Sequence, residues 1–130
     1  MKQFFYTYDN IRASVSDGAA LLFLTDYGIN KYGKIGFVNL CDEGDEISIG
    51  ELFGDCEAAK GVFDLISPVS GEVLRVNDEV LNDINLLTKE AFLVEIRITE
   101  IAENLMNYDE YTEYTKTKEA RFQPPRNRKI

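Results

Sequence analysis

Glu57-Ala58-Ala59-Lys60-Gly61, flanked by residues 51–56 and 62–67, decides how this chain folds. Both flanks read as strands: Leu52, Phe53 and Cys56 lead in, Val62, Phe63, Leu65 and Ile66 lead out, and Asp55 and Asp64 interrupt the apolar residues. Two short strands joined by small residues make a hairpin. At its tip Ala58, Ala59 and Gly61 supply almost no bulk, so the one long side chain, Lys60, is expected to project into solvent. A lysine so placed most simply solvates a turn. It is also accessible to a modifying enzyme.

The glycines on either side sharpen this reading. Gly44 and Gly71 open two similar strings, Gly44-Asp45-Glu46-Ile47-Ser48 and Gly71-Glu72-Val73-Leu74-Arg75. Each reads as a turn glycine entering a strand, which predicts two related hairpin units around Lys60. A two-fold β-sandwich of this kind presents a single lysine at one end.

Around this core the chain resembles the H protein of the glycine cleavage system. The resemblance rests on Leu24-Thr25-Asp26-Tyr27, Gly33-Lys34-Ile35-Gly36-Phe37-Val38-Asn39-Leu40, Gly50-Glu51-Leu52-Phe53-Gly54, Glu57-Ala58-Ala59-Lys60 and Ser67-Pro68-Val69-Ser70-Gly71-Glu72-Val73, and covers about residues 22–115. It implies a mostly β fold, a lipoyl-domain-like barrel-sandwich hybrid with a short N-terminal helix and a C-terminal helix. It further implies that Lys60 carries lipoic acid through an amide, and that Glu57 helps the lipoate ligase or lipoyl transferase recognise the site. The function implied is that of a carrier, not an enzyme, with glycine decarboxylase, aminomethyltransferase and dihydrolipoyl dehydrogenase as partners, acting as a monomer in the cytoplasm, or in the mitochondrial matrix if the source is eukaryotic.

The sequence departs from that family in two places. Where H proteins usually have His-Glu-Trp near the start and Pro-Tyr-Gly-x-Gly-Trp before the last strand, this chain has Asn10-Ile11-Arg12-Ala13-Ser14 and Leu87-Thr88-Lys89-Glu90-Ala91. Two alternatives follow: an H-like lipoyl carrier serving another pathway, such as sulfur oxidation, or an unmodified binding module in which Lys60 is merely exposed. Biotin carriers usually place methionine on both sides of the lysine, where this chain has Ala59 and Gly61.

Composition excludes several other classes. Length suits one compact domain over residues 1–119, followed by a tail at 120–130 whose Arg121, Arg126, Arg128 and Lys129 read as basic and disordered. A formal charge of −9 argues against nucleic acid, where phosphate contacts need clustered Lys and Arg, and no apolar run is long enough for a membrane span. There are two cysteines, Cys41 and Cys56, and no histidine. That is a poor zinc set and no disulfide framework, so both read as free thiols and Cys56 as a small buried strand residue. The acids around Gly44 lack the alternating oxygen ligands of a calcium loop. No Ser, Cys or His arrangement suits nucleophilic catalysis, so any chemistry needs a covalent cofactor.

The remaining chain supplies a scaffold. Residues 1–10 read as an edge strand or packed arm with too short an apolar core for a secretory signal. Asp17-Gly18 is a turn before a buried strand at 19–24, and Thr25 caps a short helix that starts with Asp26 and stops at Gly33. Strands follow at 35–40, from Ile47 through Ile49, and at 72–76, with Pro68 and Gly71 bracketing a turn. Residues 79–91 read as a loop with a helical turn, and 92–99 as a strand with Phe92, Val94, Ile96 and Ile98 on one face. Thr99 is expected to cap a final helix whose packing stripe is Ile101, Leu105, Tyr108 and Thr112.

Overall fold

The computed structural model describes residues 1–120, with side chains described through residue 117. Of the tail at 120–130, Ala120 is the last residue of the final helix and the rest lies outside the described residues. The strands are β1 (Gln3–Tyr6), β2 (Ile11–Ser16), β3 (Ala19–Leu24), β4 (Ile35–Leu40), β5 (Glu46–Ile47), β6 (Leu52–Ala58), β7 (Gly61–Ile66), β8 (Val69–Val76) and β9 (Val94–Ile101). The helices are α1 (Asp26–Tyr32), α2 (Asp78–Asn82) and α3 (Tyr108–Ala120). Two sheets form, one of six strands in the order β1-β2-β3-β9-β8-β5 and one of three in the order β4-β6-β7. This is the mostly β, two-sheet architecture with a short N-terminal and a C-terminal helix that the sequence leads one to expect.

The core lies between the sheets. Leu22, Val69, Val73 and Ile96 of the larger sheet and Phe53, Cys56 and Leu65 of the smaller are fully buried and belong to one cluster. Period-two alternation places them there: along β8, Val69, Gly71 and Val73 face in while Ser70, Glu72 and Leu74 are half-exposed. Asp17 and Gly18, with φ of 53° and 76°, close the β2–β3 hairpin between the paired Ser16 and Ala19. Both residues in the left-handed region match the right-handed strand twist, as that turn pair suggested.

Thr25 caps α1 as expected, its hydroxyl accepting a hydrogen bond from Gly28 N at 3.0 Å, and Gly33 ends the helix at φ 81°. Strand β2 is an element that the sequence did not disclose, since Arg12, Ala13 and Ser14 blunt its alternation. It lies between the edge strand β1 and β3.

Three expectations are corrected. Gly44 does sit in a turn, at φ 89° with open space around it, but Gly71 lies inside β8, where an added Cβ would stand 1.7 Å from the Arg97 carbonyl oxygen. The two glycine-led strings are therefore not equivalent units; they pair with each other, Glu46 opposite Glu72 and Ile47 opposite Gly71. Secondly, the strand foreseen from Ile47 through Ile49 is only Glu46–Ile47. Thirdly, Thr99 caps no helix, because β9 keeps pairing with β8 as far as Ile101 opposite Val69. The helix starts at Tyr108, where Asn107 and Glu110 form a reciprocal box: Glu110 N donates to Asn107 Oδ1 at 2.8 Å and Asn107 N to Glu110 Oε1 at 2.9 Å. Among its described side chains Tyr111 is the buried one, while Tyr108 is exposed.

Candidate functional site

The hairpin of β6 and β7 turns at Ala59 and Lys60, between the paired Ala58 and Gly61. Gly61 returns the chain to the sheet with a φ of 134° that side chains rarely adopt. Both backbone N–H groups of the tip are anchored, Ala59 N donating to Lys34 O at 2.8 Å and Lys60 N to Tyr32 O at 3.2 Å. The tip is thus fastened to the end of α1. Gly33 makes the close fit possible, since a Cβ there would stand 3.2 Å from Ala59 Cβ and 3.7 Å from Lys60 Cγ. Lys60 itself is exposed, and among the described residues no carboxylate forms an ion pair with it. An anchored backbone thus lies below a long, exposed side chain.

Glu57 lies one strand position from the tip's first paired residue, exposed, opposite Phe37 on β4 and Val62 on β7. The structure therefore places both sequence-derived residues at one end of the three-stranded sheet. Its opposite face is closed. Tyr32 stacks on Phe63 at 4.0 Å between ring centroids, and Cys56, directly opposite Phe63, has no exposed surface.

Beneath the stack runs a buried polar chain. Thr25 and Tyr111 share a hydroxyl contact of 2.7 Å, Tyr111 OH donates to Asn10 Oδ1 at 2.8 Å, and Asn10 Nδ2 donates to Tyr32 OH at 3.4 Å. Because Tyr111 has one proton and gives it to Asn10, Thr25 is the donor to Tyr111. Burial, the main cause, pushes the Tyr111 and Tyr32 hydroxyls up, so both stay protonated, Tyr111 donating to Asn10 and Tyr32 accepting from it. The chain joins α3, the cap of α1 and the start of β2 to the stack under Lys60. Sequence reasoning missed Asn10, Tyr32, Phe63 and Tyr111; the φ of 67° at Asn10 and contacts up to 101 residues apart leave no local trace.

Both thiols are free. Burial first, and then Asp55, pushes the Cys56 thiol up to about 11; burial and Asp45 do the same for Cys41, also to about 11. A cleft of about 330 Å³ lies elsewhere, at the N-terminal end of α1, bordered by Arg12, Asp26, Lys89, Tyr108 and Tyr111. The helix, about 10 Å long at 1.5 Å per residue, separates it from the lysine tip. Among the described residues no group of His, Cys, Asp and Glu is placed to hold a metal ion, and no helix is long and apolar enough to cross a membrane.

Comparison with known proteins accounts for this arrangement. A family model described as glycine cleavage H-protein matches residues 5–118. A glycine cleavage system H protein of Streptomyces coelicolor is 38% identical over 106 residues, covering 78% of this chain and 85% of its own length. A probable glycine cleavage system H protein of Pyrococcus horikoshii is 33% identical over 120 residues, covering 87% of this chain and 90% of its own. The crystal structure of a glycine cleavage system H protein from Mycobacterium marinum matches with a TM-score of 0.81 at 27% identity, covering 87% of this chain and 96% of that one. The match takes in both sheets, the lysine hairpin and nearly all of α3, and on that ground the chain belongs to the glycine cleavage H-protein family.

Proposed function

We propose that Lys60 is the lipoyl attachment site through which this chain, a lipoyl carrier of the glycine cleavage system, does its work, and that Glu57 is read by the enzyme that attaches the group. The carrying observation is that Lys60 is long, exposed and without an ion-pair partner among the described residues, on a hairpin tip whose two N–H groups are anchored to Tyr32 at the end of α1 and to Lys34 just beyond it. In the attachment, neutral Nζ attacks the carbonyl carbon of a carboxyl-activated lipoate. The C–N bond forms, the activating group leaves with the electrons of its own bond, and nitrogen loses a proton to give the amide.

When bound, lipoate supplies a ring disulfide that opens to a dithiol able to hold the transferred aminomethyl group. The protein's share is to hold the base of the arm and keep its own sulfur out of the exchange. A thiolate, not a thiol, attacks a disulfide. Burial holds both Cys41 and Cys56 above the ordinary thiol range, which disfavours their thiolates at neutral pH and with them capture of the arm. Glycine decarboxylase, aminomethyltransferase and dihydrolipoyl dehydrogenase are the partners this reading assigns. The carrier unit is residues 1–119, acting as a cytoplasmic or matrix monomer with the basic tail outside it.

Intact mass of the protein, made in cells supplied with lipoate, tests the assignment. The wild type gains one lipoyl amide and Lys60→Arg none, with the fold retained, because guanidinium keeps the charge but cannot form the amide. A lipoylated Lys60→Arg protein places the arm elsewhere and ends the proposal.

A further inference from the structure

The lysine hairpin offers two unlike faces to a visiting enzyme. On one, Tyr32, Phe63 and Cys56 are packed together and Gly33 lies against the tip, so that face of the sheet is covered by α1. The other face is open. Its row nearest the tip is Phe37, Glu57 and Val62, one residue from each strand. Phe37 is 51% and Val62 65% exposed, so two large apolar side chains flank the carboxylate on a bare sheet surface. The row behind is Asn39, Asp55 and Asp64, with the two aspartates directly opposite each other. Like charges in cross-strand register are destabilising. Asp55 receives only a neutral amide hydrogen bond, from Asn39 Nδ2 at 2.8 Å, and among the described residues no cation pairs with Asp55, Asp64 or Glu57.

We infer that this outer face of β4-β6-β7 is the docking surface for the lipoyl-attaching enzyme. Its recognition extends beyond Glu57 to the apolar pair Phe37 and Val62, and to the Asp55–Asp64 pair. The inference rests on the assignment of Lys60. An enzyme that closes its catalytic site around Nζ must cover the residues beside the tip, and only this face is free to be covered. Strands spaced about 4.8 Å apart put Phe37 and Val62 about 10 Å from each other, well within the footprint of one partner. The chemistry of the partner follows: apolar contacts for Phe37 and Val62, and Lys or Arg side chains set to neutralise the paired aspartates. The repulsion between Asp55 and Asp64 is relieved when such a cation arrives, so the free protein carries a small cost that docking removes.

Steady-state lipoylation of the full chain by a purified lipoate–protein ligase, with ATP and lipoate, tests this. Phe37→Ser and Val62→Ser each raise KM about tenfold with kcat within about twofold, the size expected for a central apolar contact. Leu86→Ser, an equally exposed apolar residue outside this sheet, changes neither. Asp64→Asn raises Tm, by removing the repulsion, yet lowers kcat/KM about threefold and weakens its salt dependence. A purely structural role for Asp64 cannot move stability and recognition in opposite directions. Should either apolar variant misfold by circular dichroism, the wild type still decides: kcat/KM must fall several-fold between about 50 and 300 mM salt. Wild-type KM for the Phe37→Ser, Val62→Ser double variant, or a rate insensitive to salt, overturns the docking surface while leaving Lys60 as the site. A wild type lipoylated at another lysine, or not at all, overturns both.

Discussion

Tyr32 and Phe63 stack with their ring centroids 4.0 Å apart and their planes within 16°, so the last residue of α1 and the return strand of the lysine hairpin are held as one body. Removing either ring opens a gap between them. Tyr32→Ala and Phe63→Ala are each expected to cost about 3 kcal/mol and lower Tm by about 10 °C. Tyr32→Phe keeps the stack and loses only the bond from Asn10, for about 1 kcal/mol. Thermal unfolding of the three variants separates the terms; equal losses for Tyr32→Phe and Tyr32→Ala rule out the stack as the fastening.

Tyr111 carries the polar chain into α3. Tyr111→Phe leaves Asn10 Oδ1 without its donor and Thr25 without its acceptor, and is expected to cost about 2 kcal/mol. Amide hydrogen exchange should quicken in α3 and at the cap of α1 together. Exchange that quickens in α3 alone breaks the proposed link.

Two glycines weigh close approach against backbone conformation alone, since Gly71, at φ 155°, carries both and Gly44 only the second. Gly71→Ala drives a Cβ into the Arg97 carbonyl, a backbone neighbour that cannot move aside, and is expected to exceed about 4 kcal/mol or prevent folding. Gly44→Ala meets nothing and bears only the strain of φ 89°, about 1 kcal/mol. Urea midpoints for the pair check the order; equal costs refute the close approach.

The buried thiols predict an alkaline weakness. The folded state holds Cys56 protonated to about 11, against an ordinary value of 9.0, mainly through burial and then through Asp55. Between those values the unfolded chain binds fewer protons, so this stability is complete below pH 9 and lost as pH rises toward 11, about 1 kcal/mol by pH 10. Cys41 and the two raised tyrosines act in the same direction. Under reducing conditions, urea unfolding of wild type and Cys56→Ala at pH 8 and pH 10 should show a smaller fall for the variant. Parallel falls would assign the effect to the other groups.

Glu57 is exposed, makes no ion pair among the described residues and faces two apolar neighbours across the sheet. Glu57→Ala should shift stability by less than about 0.5 kcal/mol. Its lipoylation should slow about tenfold, through KM, if the ligase reads the carboxylate. Unfolding and lipoylation rates measured on the same preparation settle it, and a variant that is both slow and clearly destabilised would make the effect indirect.

Local chemistry could be read directly from the order of the residues. Small residues around Lys60 dictate a tight tip, Asp17-Gly18 dictates a left-handed hairpin turn, and Thr25 before Asp26 dictates a capped helix, because each signal is written within four residues. Alternation likewise exposed β9, although not its bounds, since the strand begins at Val94 and pairing with β8 carries it to Ile101. Which face of the hairpin is free depends instead on how α1 packs against the smaller sheet. Phe37 and Phe63 look alike as phenylalanines in apolar runs, yet Phe37 is half-exposed while Phe63 stacks on Tyr32, because α1 folds across one side of the smaller sheet. Gly44 and Gly71 open similar strings, but one needs a left-handed turn and the other a carbonyl from a strand 26 residues away at Arg97. Asn10 and Tyr111 meet across 101 residues. Such contacts depend on how separate segments are brought together, and no pattern confined to either segment encodes them.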